Sequence, residues 1–352
     1  MAATVGDARA GRSCCICGRP GGVRWVMGSH LRNFVDDALD TTVVLSFTNV
    51  GFRVRERLQR WDQLPLLLGR RVLVTGANSG IGFAAAQRFA QLGAVVHLAV
   101  RDRARGDDAR GRIVAACPDA EVEIEHLDVS DLSAVRSFAA SFASRYPSLD
   151  VILHNAGALL HERTETADGI ETTLATHVVG PFLLTSLLLP RLTASTDARV
   201  ITVTSGGMYS AGLSMQNLQS DQGEYNGTQA YARAKRTQML LTEEWAQRTE
   251  STTVSFHAMH PGWADTPGVA TALPRFRRVV GPFLRTPAQG ADTAVWLAAD
   301  PTVPALGGAL WLDRRRRKTH KLRRTKEGDR HRADAFAEIR RLSGHVGTLP
   351  GD

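Results

Sequence analysis

Thr75-Gly76-Ala77-Asn78-Ser79-Gly80-Ile81-Gly82 decides how the rest of this 352-residue chain is read. A short apolar run, 72–75, leads into it, and a helix-like segment follows. Glycines in such a turn let the backbone come close to a pyrophosphate, whose charge is stabilised by free N–H groups at the helix start. The spacing is G-x-x-x-G-x-G, not the more familiar G-x-G-x-x-G, so the glycines alone say little. Their position between a strand and a helix, at the head of repeated β–α units, is what gives them weight.

Working outward, further strand-like runs fall at 95–100, 122–127, 151–153, 200–204, 254–258 and 309–312, with helix-like segments between them. Short continuous apolar strands suit a sheet covered on both faces. Their alternation with helices implies parallel strands and right-handed crossovers. The expected fold is α/β, a Rossmann-type doubly wound parallel sheet of about seven strands, occupying residues 68–312. Residues 31–67 form an N-terminal helical extension. Phe47, Val50, Val54, Leu58 and Trp61 recur there at helical spacing, with Arg53, Arg55, Arg57 and Arg60 beside them. A helix laid on the main domain is the first reading. A basic amphipathic helix on a membrane surface is the second.

The second strand ends at Val100, followed by Arg101, Asp102, Arg103 and Arg105. About 20 residues beyond the glycines is where an adenosine ribose is read. Guanidinium suits a 2′-phosphate, so NADP is the expected cofactor, with NAD the lesser alternative. Asp128-Val129 ends the third strand, where a carboxylate can meet the adenine amine.

Tyr231 and Lys235 lie four residues apart, on one face of a helix. An ammonium near a phenol favours phenolate and lowers its pKa, making a workable acid–base pair. Ser205 stands at the end of the fifth strand. In order, the Gly76/Gly80/Gly82 turn, Asn155-Ala156-Gly157, Ser205, Tyr231-x-x-x-Lys235 and Pro261-Gly262 resemble the short-chain dehydrogenase/reductase family. The stretches 203–208 and 260–268 look like a branch related to retinol dehydrogenases. The resemblance covers about two-thirds of the chain.

The resemblance implies an NAD(P)-dependent enzyme acting on CH–OH or C=O groups. In it Ser205 holds the carbonyl oxygen, Tyr231 is the general acid/base, and Lys235 lowers the tyrosine pKa and bonds the nicotinamide ribose. Gly76, Asn78, Ser79, Gly80, Ile81, Gly82, Arg101, Asp128, Val129, Asn155, Ala156, Gly157, Pro261, Gly262 and Thr266 contact the cofactor. Two residues depart from the pattern. His154 replaces the first Asn of Asn-Asn-Ala-Gly. His177 stands where the family has a catalytic Asn that holds a water linking the lysine to solvent. Imidazole can relay protons, so activity with a distinctive pH profile is expected.

The 206–230 segment, with Met208, Tyr209, Leu213, Met215, Leu218 and Tyr225, is expected to line an apolar pocket for a hydrophobic carbonyl or alcohol. Two rival functions remain. One is a catalytically weak NADP-binding redox sensor. The other, a sugar-nucleotide epimerase, is opposed by the glycine spacing and by the short region after the site.

The net charge of +8 sits between Asp313 and Arg341, where 13 Lys/Arg meet five Asp/Glu, so the body of the chain is neutral and no nucleic-acid partner is expected. Residues 313–352 read as a basic tail, solvated or touching anionic lipid. Cys14, Cys15 and Cys17 lack a second Cys/His pair at zinc spacing, so no metal is expected. Residues 1–30 read as a disordered extension, with Met27 a candidate start. The N-terminus lacks the order of a secretory signal, and the apolar run 178–190 is too short to span a bilayer. A cytoplasmic protein follows, with surface contact to a membrane as a second possibility. The apolar helix around 182–189 is compatible with a homo-oligomer.

Overall fold

The computed structural model describes residues 29–250, 252–305 and 307–352. The N-terminal cysteine cluster, the start at Met27 and most of the 1–30 extension therefore lie outside the described residues.

Three short helices come first: α1 (Ser29–Thr41), α2 (Val43–Phe47) and α3 (Asn49–Gln59). The extension is thus broken at Thr42 and Thr48, both in extended conformation, rather than being one stripe. Gly51, Phe52 and Arg55 are the buried residues of α3, while Val50 is exposed. Of the stripe read from the sequence, Phe47 is buried and Val54, Leu58 and Trp61 are half-buried, while a buried arginine, Arg55, joins the contact.

The domain then alternates: β1 (Arg71–Thr75), α4 (Gly80–Gln91), β2 (Val95–Val100), α5 (Arg103–Ala116), β3 (Val122–His126), α6 (Leu132–Arg145), β4 (Val151–His154), α7 (Thr172–Leu174) with a π turn (Ala175–Val179), and α8 (Gly180–Thr193). It continues with β5 (Ala198–Val203), α9 (Gly227–Arg248), β6 (Val254–Met259), α10 (Pro267–Ala272), α11 (Pro274–Val280), α12 (Pro287–Ala299), β7 (Ala309–Leu312), β8 (Arg315–Arg317) and α13 (Asp329–Ser343). The sheet order is β3-β2-β1-β4-β5-β6-β7-β8. The first seven strands are parallel, and β8 pairs antiparallel with β7. The order reverses between β1 and β4, the crevice where doubly wound sheets hold ligands at their strand C-termini.

Core faces on both sides of the sheet are apolar. One gathers Phe89, Leu98, Ile113 and Leu153; the other gathers Phe142, Ile152, Leu183 and Phe336. Among the described residues, the 172–193 stretch is long and apolar enough to cross a membrane, but it is mostly buried in this core. Phe182 of α8 packs on Trp245 and Phe336, with ring centroids 5.4 and 5.1 Å away. Residues of the same chain therefore cover that helix, without a second copy.

The basic C-terminal stretch is not left in solvent. Asp313 and Arg314 form a two-residue hairpin turn, both at positive φ (53° and 57°), which matches the twist of paired strands. Arg314 then pairs with Asp292, and Arg315 and Arg317 with Asp36 of α1. Helix α13 buries Ala335, Phe336 and Ile339. A charge count along the sequence could not find these acids, because they lie far away in the chain.

Candidate active site

The strand C-termini bring the expected residues to one edge. Gly76 (φ 64°) and Gly80 (φ 57°) sit in the left-handed region that favours glycine. A Cβ on Gly76 would lie 2.9 Å from the Ala156 Cα, and one on Gly82 2.4 Å from Asn155 Nδ2. The turn is thus built around Asn155 and Ala156. Asn155 Nδ2 donates to the Thr75 and Gly76 carbonyls (3.0 and 3.2 Å). Thr75 Oγ1 accepts from the Asn155 and Ala156 amides, both 3.0 Å. A Cβ on Gly80 would face Thr266 Cγ2 at 3.2 Å, so the 261–266 loop closes over the helix start. Asn78, Ser79 and Ile81 lie within the same turn, and Ser79 precedes α4 in extended conformation.

Arg101 is exposed at the end of β2, and no side-chain hydrogen bond or ion pair engages it among the described residues. The neighbouring Asp102 is committed elsewhere: its carboxylate accepts from the Arg105 amide at 3.1 Å and caps α5. Asp128 also has local partners, accepting from the Ser130 amide and hydroxyl (2.9 and 2.7 Å). Val129 is buried, and its carbonyl fits against Gly180, where a Cβ would lie only 1.7 Å away.

Helix α9 is capped by Asn226, whose side chain accepts from the Gln229 amide at 3.0 Å. Its first residue, Gly227, abuts the Leu160 carbonyl. This fixes the face carrying Tyr231 and Lys235. Tyr231 is half-buried. Lys235 is 3% exposed, with Nζ 5.5 Å from the Tyr231 ring centroid and donating to the Val203 carbonyl at 2.7 Å. Burial pushes Lys235 down to about 7. Burial also holds Tyr231 above its ordinary value, and the Ser205 hydroxyl is the group drawing it back. Burial thus opposes charge on both the lysine and the phenol in the cofactor-free chain. Ser205 Oγ also accepts from the Gly207 amide at 3.2 Å, capping the short turn Gly206–Tyr209.

His177 stacks edge-on to Tyr231, centroids 5.2 Å apart. Its Nε2 lies 2.8 Å from the Ala158 carbonyl. The Ala158 amide donates toward the same Nε2 at 3.2 Å, so which Ala158 group the ring engages follows its tautomer, and Nδ1 is buried without a partner among the described residues. Burial, then the Lys235 charge, hold its pKa down to about 3. His177 is therefore neutral across physiological pH, and relay through a charged imidazolium is opposed. Gly157 makes room for the ring: a Cβ there would lie 2.4 Å from its Cε1. His154 is buried and bonds Thr185 at 2.8 Å, pairing the β4 end with α8.

Gln238 escaped the sequence reading. Pro181 has no N–H, so the His177 carbonyl lacks its helical donor, and the π turn falls at this point. Gln238 Nε2 supplies that bond at 2.7 Å. A polar residue one turn beyond Lys235, among Met239, Leu240 and Leu241, was the available signal. The 206–230 expectation is partly redirected. Met208 and Leu218 are buried, and Tyr209 donates to the Lys318 carbonyl. A pocket of about 420 Å³ opens beside α9, lined by Ser210, Ala211, Ser214, Asn226, Ala232 and Arg233 among others. Its walls are mixed, not apolar.

Residues 70–275 match the short chain dehydrogenase family model. The human protein dehydrogenase/reductase SDR family member 12 is 43% identical over 259 residues, spanning 73% of this chain and 80% of that protein. Human retinol dehydrogenase 14 is 36% identical over 283 residues, spanning 75% and 84%. Among solved structures, an uncharacterised Mycobacterium paratuberculosis protein aligns with TM-score 0.66 and 30% identity, covering 82% of this chain and 98% of that one. An Escherichia coli short chain dehydrogenase complexed with NADPH aligns with TM-score 0.58 and 25% identity, covering 71% and 98%.

Proposed function

This chain belongs to the short-chain dehydrogenase family, an NAD(P)-dependent oxidoreductase, and from that premise we propose that it uses NADP to interconvert a hydrophobic carbonyl and its alcohol, with Tyr231 as general acid/base. The observation that carries this reading is the meeting of Ser205, Tyr231 and Lys235 at the strand ends beside the glycine turn. The residues fit a dinucleotide. Gly76 and Gly80 hold the turn open, Gly82 packs on Asn155, and Thr266 faces the helix start. The nicotinamide, when bound, gives or takes the hydride.

The chain's own groups do the rest. In reduction, hydride adds to the carbonyl carbon and negative charge develops on its oxygen. Ser205 donates a hydrogen bond to that oxygen, and Tyr231 delivers the proton, so carbonyl, hydride and proton give the alcohol. A phenol kept protonated by burial is ready as the acid. In the oxidation direction the same group must first lose its proton, which needs positive charge on Lys235. His177 we assign a positioning role: it orders Ala158 and packs on Tyr231. Its pKa argues against the relay anticipated from its residue type.

NADP preference rests on exposed Arg101 and on Asp102 being tied to its helix cap. A hydrophobic substrate is supported by relatives that are retinol dehydrogenases by name. Arg314, Arg315 and Arg317 of the basic stretch are paired with Asp292 and Asp36, so they are committed within the chain. The test is NADPH and NADH consumption over a panel of aldehydes and ketones, with Tyr231→Phe as control. Turnover lost in the variant while NADPH binding survives supports the assignment. NADPH binding without turnover on any carbonyl would favour the redox-sensor alternative.

A further inference from the structure

The N-terminal helices lie outside the matched segment, yet α2 ends inside the catalytic edge of the sheet. Phe47, its last residue, is 3% exposed. Its ring lies 4.3 Å from that of His260 and 5.9 Å from that of Trp263. A Cβ added to Gly206, the residue after Ser205, would lie 2.8 Å from Phe47 Cε2 and 2.6 Å from His260 Nε2. Phe47 and His260 therefore press together on the serine turn.

The other side of the pair holds the 261–266 loop. His260 Nδ1 accepts from the Gly262 amide at 2.8 Å. The Phe47 carbonyl accepts from the Trp263 amide at 2.7 Å and from Arg285 Nε at 3.1 Å. A buried ionic clasp fixes the helix end. Arg285 donates to the Ser46 carbonyl (2.8 Å) and to both Asp313 oxygens (2.6 and 2.9 Å). Arg55 donates to the same Ser46 carbonyl (3.0 Å), to Asp313 (2.7 Å) and to Asp36 (2.5 Å). Arg55, Asp36, Asp313 and Arg285 are all at most 2% exposed.

We infer that Phe47 is a positioning residue of the active site, setting through His260 the mutual placement of the Ser205 turn and the 261–266 loop, with the N-terminal helices as its mount. The serine hydroxyl and the nicotinamide-side loop come from different strands, β5 and β6, and each needs its place to a fraction of an ångström. Both rest against one aromatic ring supplied from outside the sheet. Removing that ring leaves Gly206 free to shift toward the vacated volume.

The inference rests on the catalytic reading of Ser205 for its turnover arm alone. The experiment compares Phe47→Ala with Phe52→Ala in the full chain. Phe52 is as buried and belongs to the same extension, but its ring faces Trp61 at 5.2 Å and lies under the Arg285 guanidinium, away from the serine turn. Hydrogen exchange, measured without cofactor, is expected to rise at 205–208 and 262–264 in Phe47→Ala and to stay at the wild-type rate at 205–208 in Phe52→Ala. With NADPH and the best substrate of the carbonyl panel, kcat is expected to fall roughly 10- to 100-fold in Phe47→Ala, the scale of a sub-ångström to ångström misplacement. Phe47→Tyr or Phe47→Leu should restore part of kcat. If Phe47→Ala does not fold, Phe47→Leu carries both arms. Equal effects of the Phe47 and Phe52 variants, in proportion to lost stability, would overturn the inference, as would unchanged exchange at 205–208. Absence of turnover in the wild type would count against the enzymatic reading and leave the exchange arm standing.

Discussion

Replacing Lys235 with Met should make the cofactor-free protein more stable at neutral pH while abolishing turnover. Lys235 is 3% exposed, and burial alone drives it from 10.5 to about 7. The gap is about 3.5 pH units, and at about 1.4 kcal/mol per unit it corresponds to about 4–5 kcal/mol of differential interaction. Near pH 7 almost all of it opposes folding, because the unfolded lysine is charged and the folded one is only half so. Methionine of similar length removes this penalty. It also deprives the Val203 carbonyl of its 2.7 Å donor, which costs about 1–3 kcal/mol for a buried acceptor. The net expectation is a gain of about 2–3 kcal/mol at pH 7. The sign of the pH dependence is fixed. Between pH 7 and 10.5 the unfolded chain holds a proton that the folded chain lacks, so wild-type stability rises with pH on this account. The variant lacks that rise. Its advantage should shrink as pH rises and reverse near pH 9, where the remaining penalty of about 2 kcal/mol matches the lost hydrogen bond. Urea unfolding of both proteins at pH 7, 8.5 and 10 reads this difference directly, since all other titrating groups cancel. A stability difference that is flat with pH, or a variant less stable at pH 7, refutes the account of a desolvated lysine.

Other outcomes follow from single contacts. Arg101→Ala should weaken NADPH binding about 10- to 100-fold, the scale of a lost charge-assisted hydrogen bond, and leave NADH binding nearly unchanged in titrations of intrinsic fluorescence. His154, His177 and His260 are pushed down to about 3 and His257 to about 4, chiefly by burial. Folded stability should therefore fall as pH drops below 6.5, with about four protons taken up on unfolding near pH 5 and a slope of about 5 kcal/mol per pH unit in urea titrations. His177→Asn should alter kcat without moving the shape of the pH–rate profile between pH 5 and 9, because a histidine held near 3 does not titrate there. Phe336→Ala should cost about 3–5 kcal/mol, the usual range for a buried aromatic, showing in thermal melts that α13 belongs to the domain core.

The parallel sheet was legible because most of its strands are short, apolar and followed by a helix, and that pattern depends only on neighbours in sequence. So was the glycine turn, whose positive φ values at Gly76 and Gly80 need glycine whatever surrounds them. That Ser205, Tyr231 and Lys235 share one edge was legible because they fall at a strand end and at helical spacing. Their protonation was not legible, for a physical reason. Spacing places Lys235 near Tyr231, but only the fold shows that the lysine is desolvated and bonded to Val203. Gln238 was missed because its partner is a carbonyl freed by Pro181, more than 50 residues away. The helical stripe of the extension named Phe47, which is buried, but could not show the ionic part of the contact. Asp36, Arg55, Arg285 and Asp313 are individually ordinary, and no local pattern pairs them.

That clasp also explains why both ends of the described chain return to the site. Buried ion pairs add little net stability, since desolvation offsets most of the attraction, but leaving one partner unpaired costs about 3–5 kcal/mol. Such a cluster penalises every arrangement except the one that pairs all its members. Here the paired arrangement needs α1 to supply Asp36, α3 to supply Arg55, the segment before α12 to supply Arg285 and the β7–β8 turn to supply Asp313. The turn holds Asp313 inward at φ 53°, a conformation that Asp tolerates better than most residues. Detaching the N-terminal helices would take Arg55 from Asp313 and the Ser46 and Phe47 carbonyls from Arg285, beneath the 261–266 loop, with Arg285 Nε 2.2 Å from where a Cβ on Gly262 would lie. The extension is therefore held by the same residues that shape the loop, so its docking and the geometry of the catalytic edge are set together.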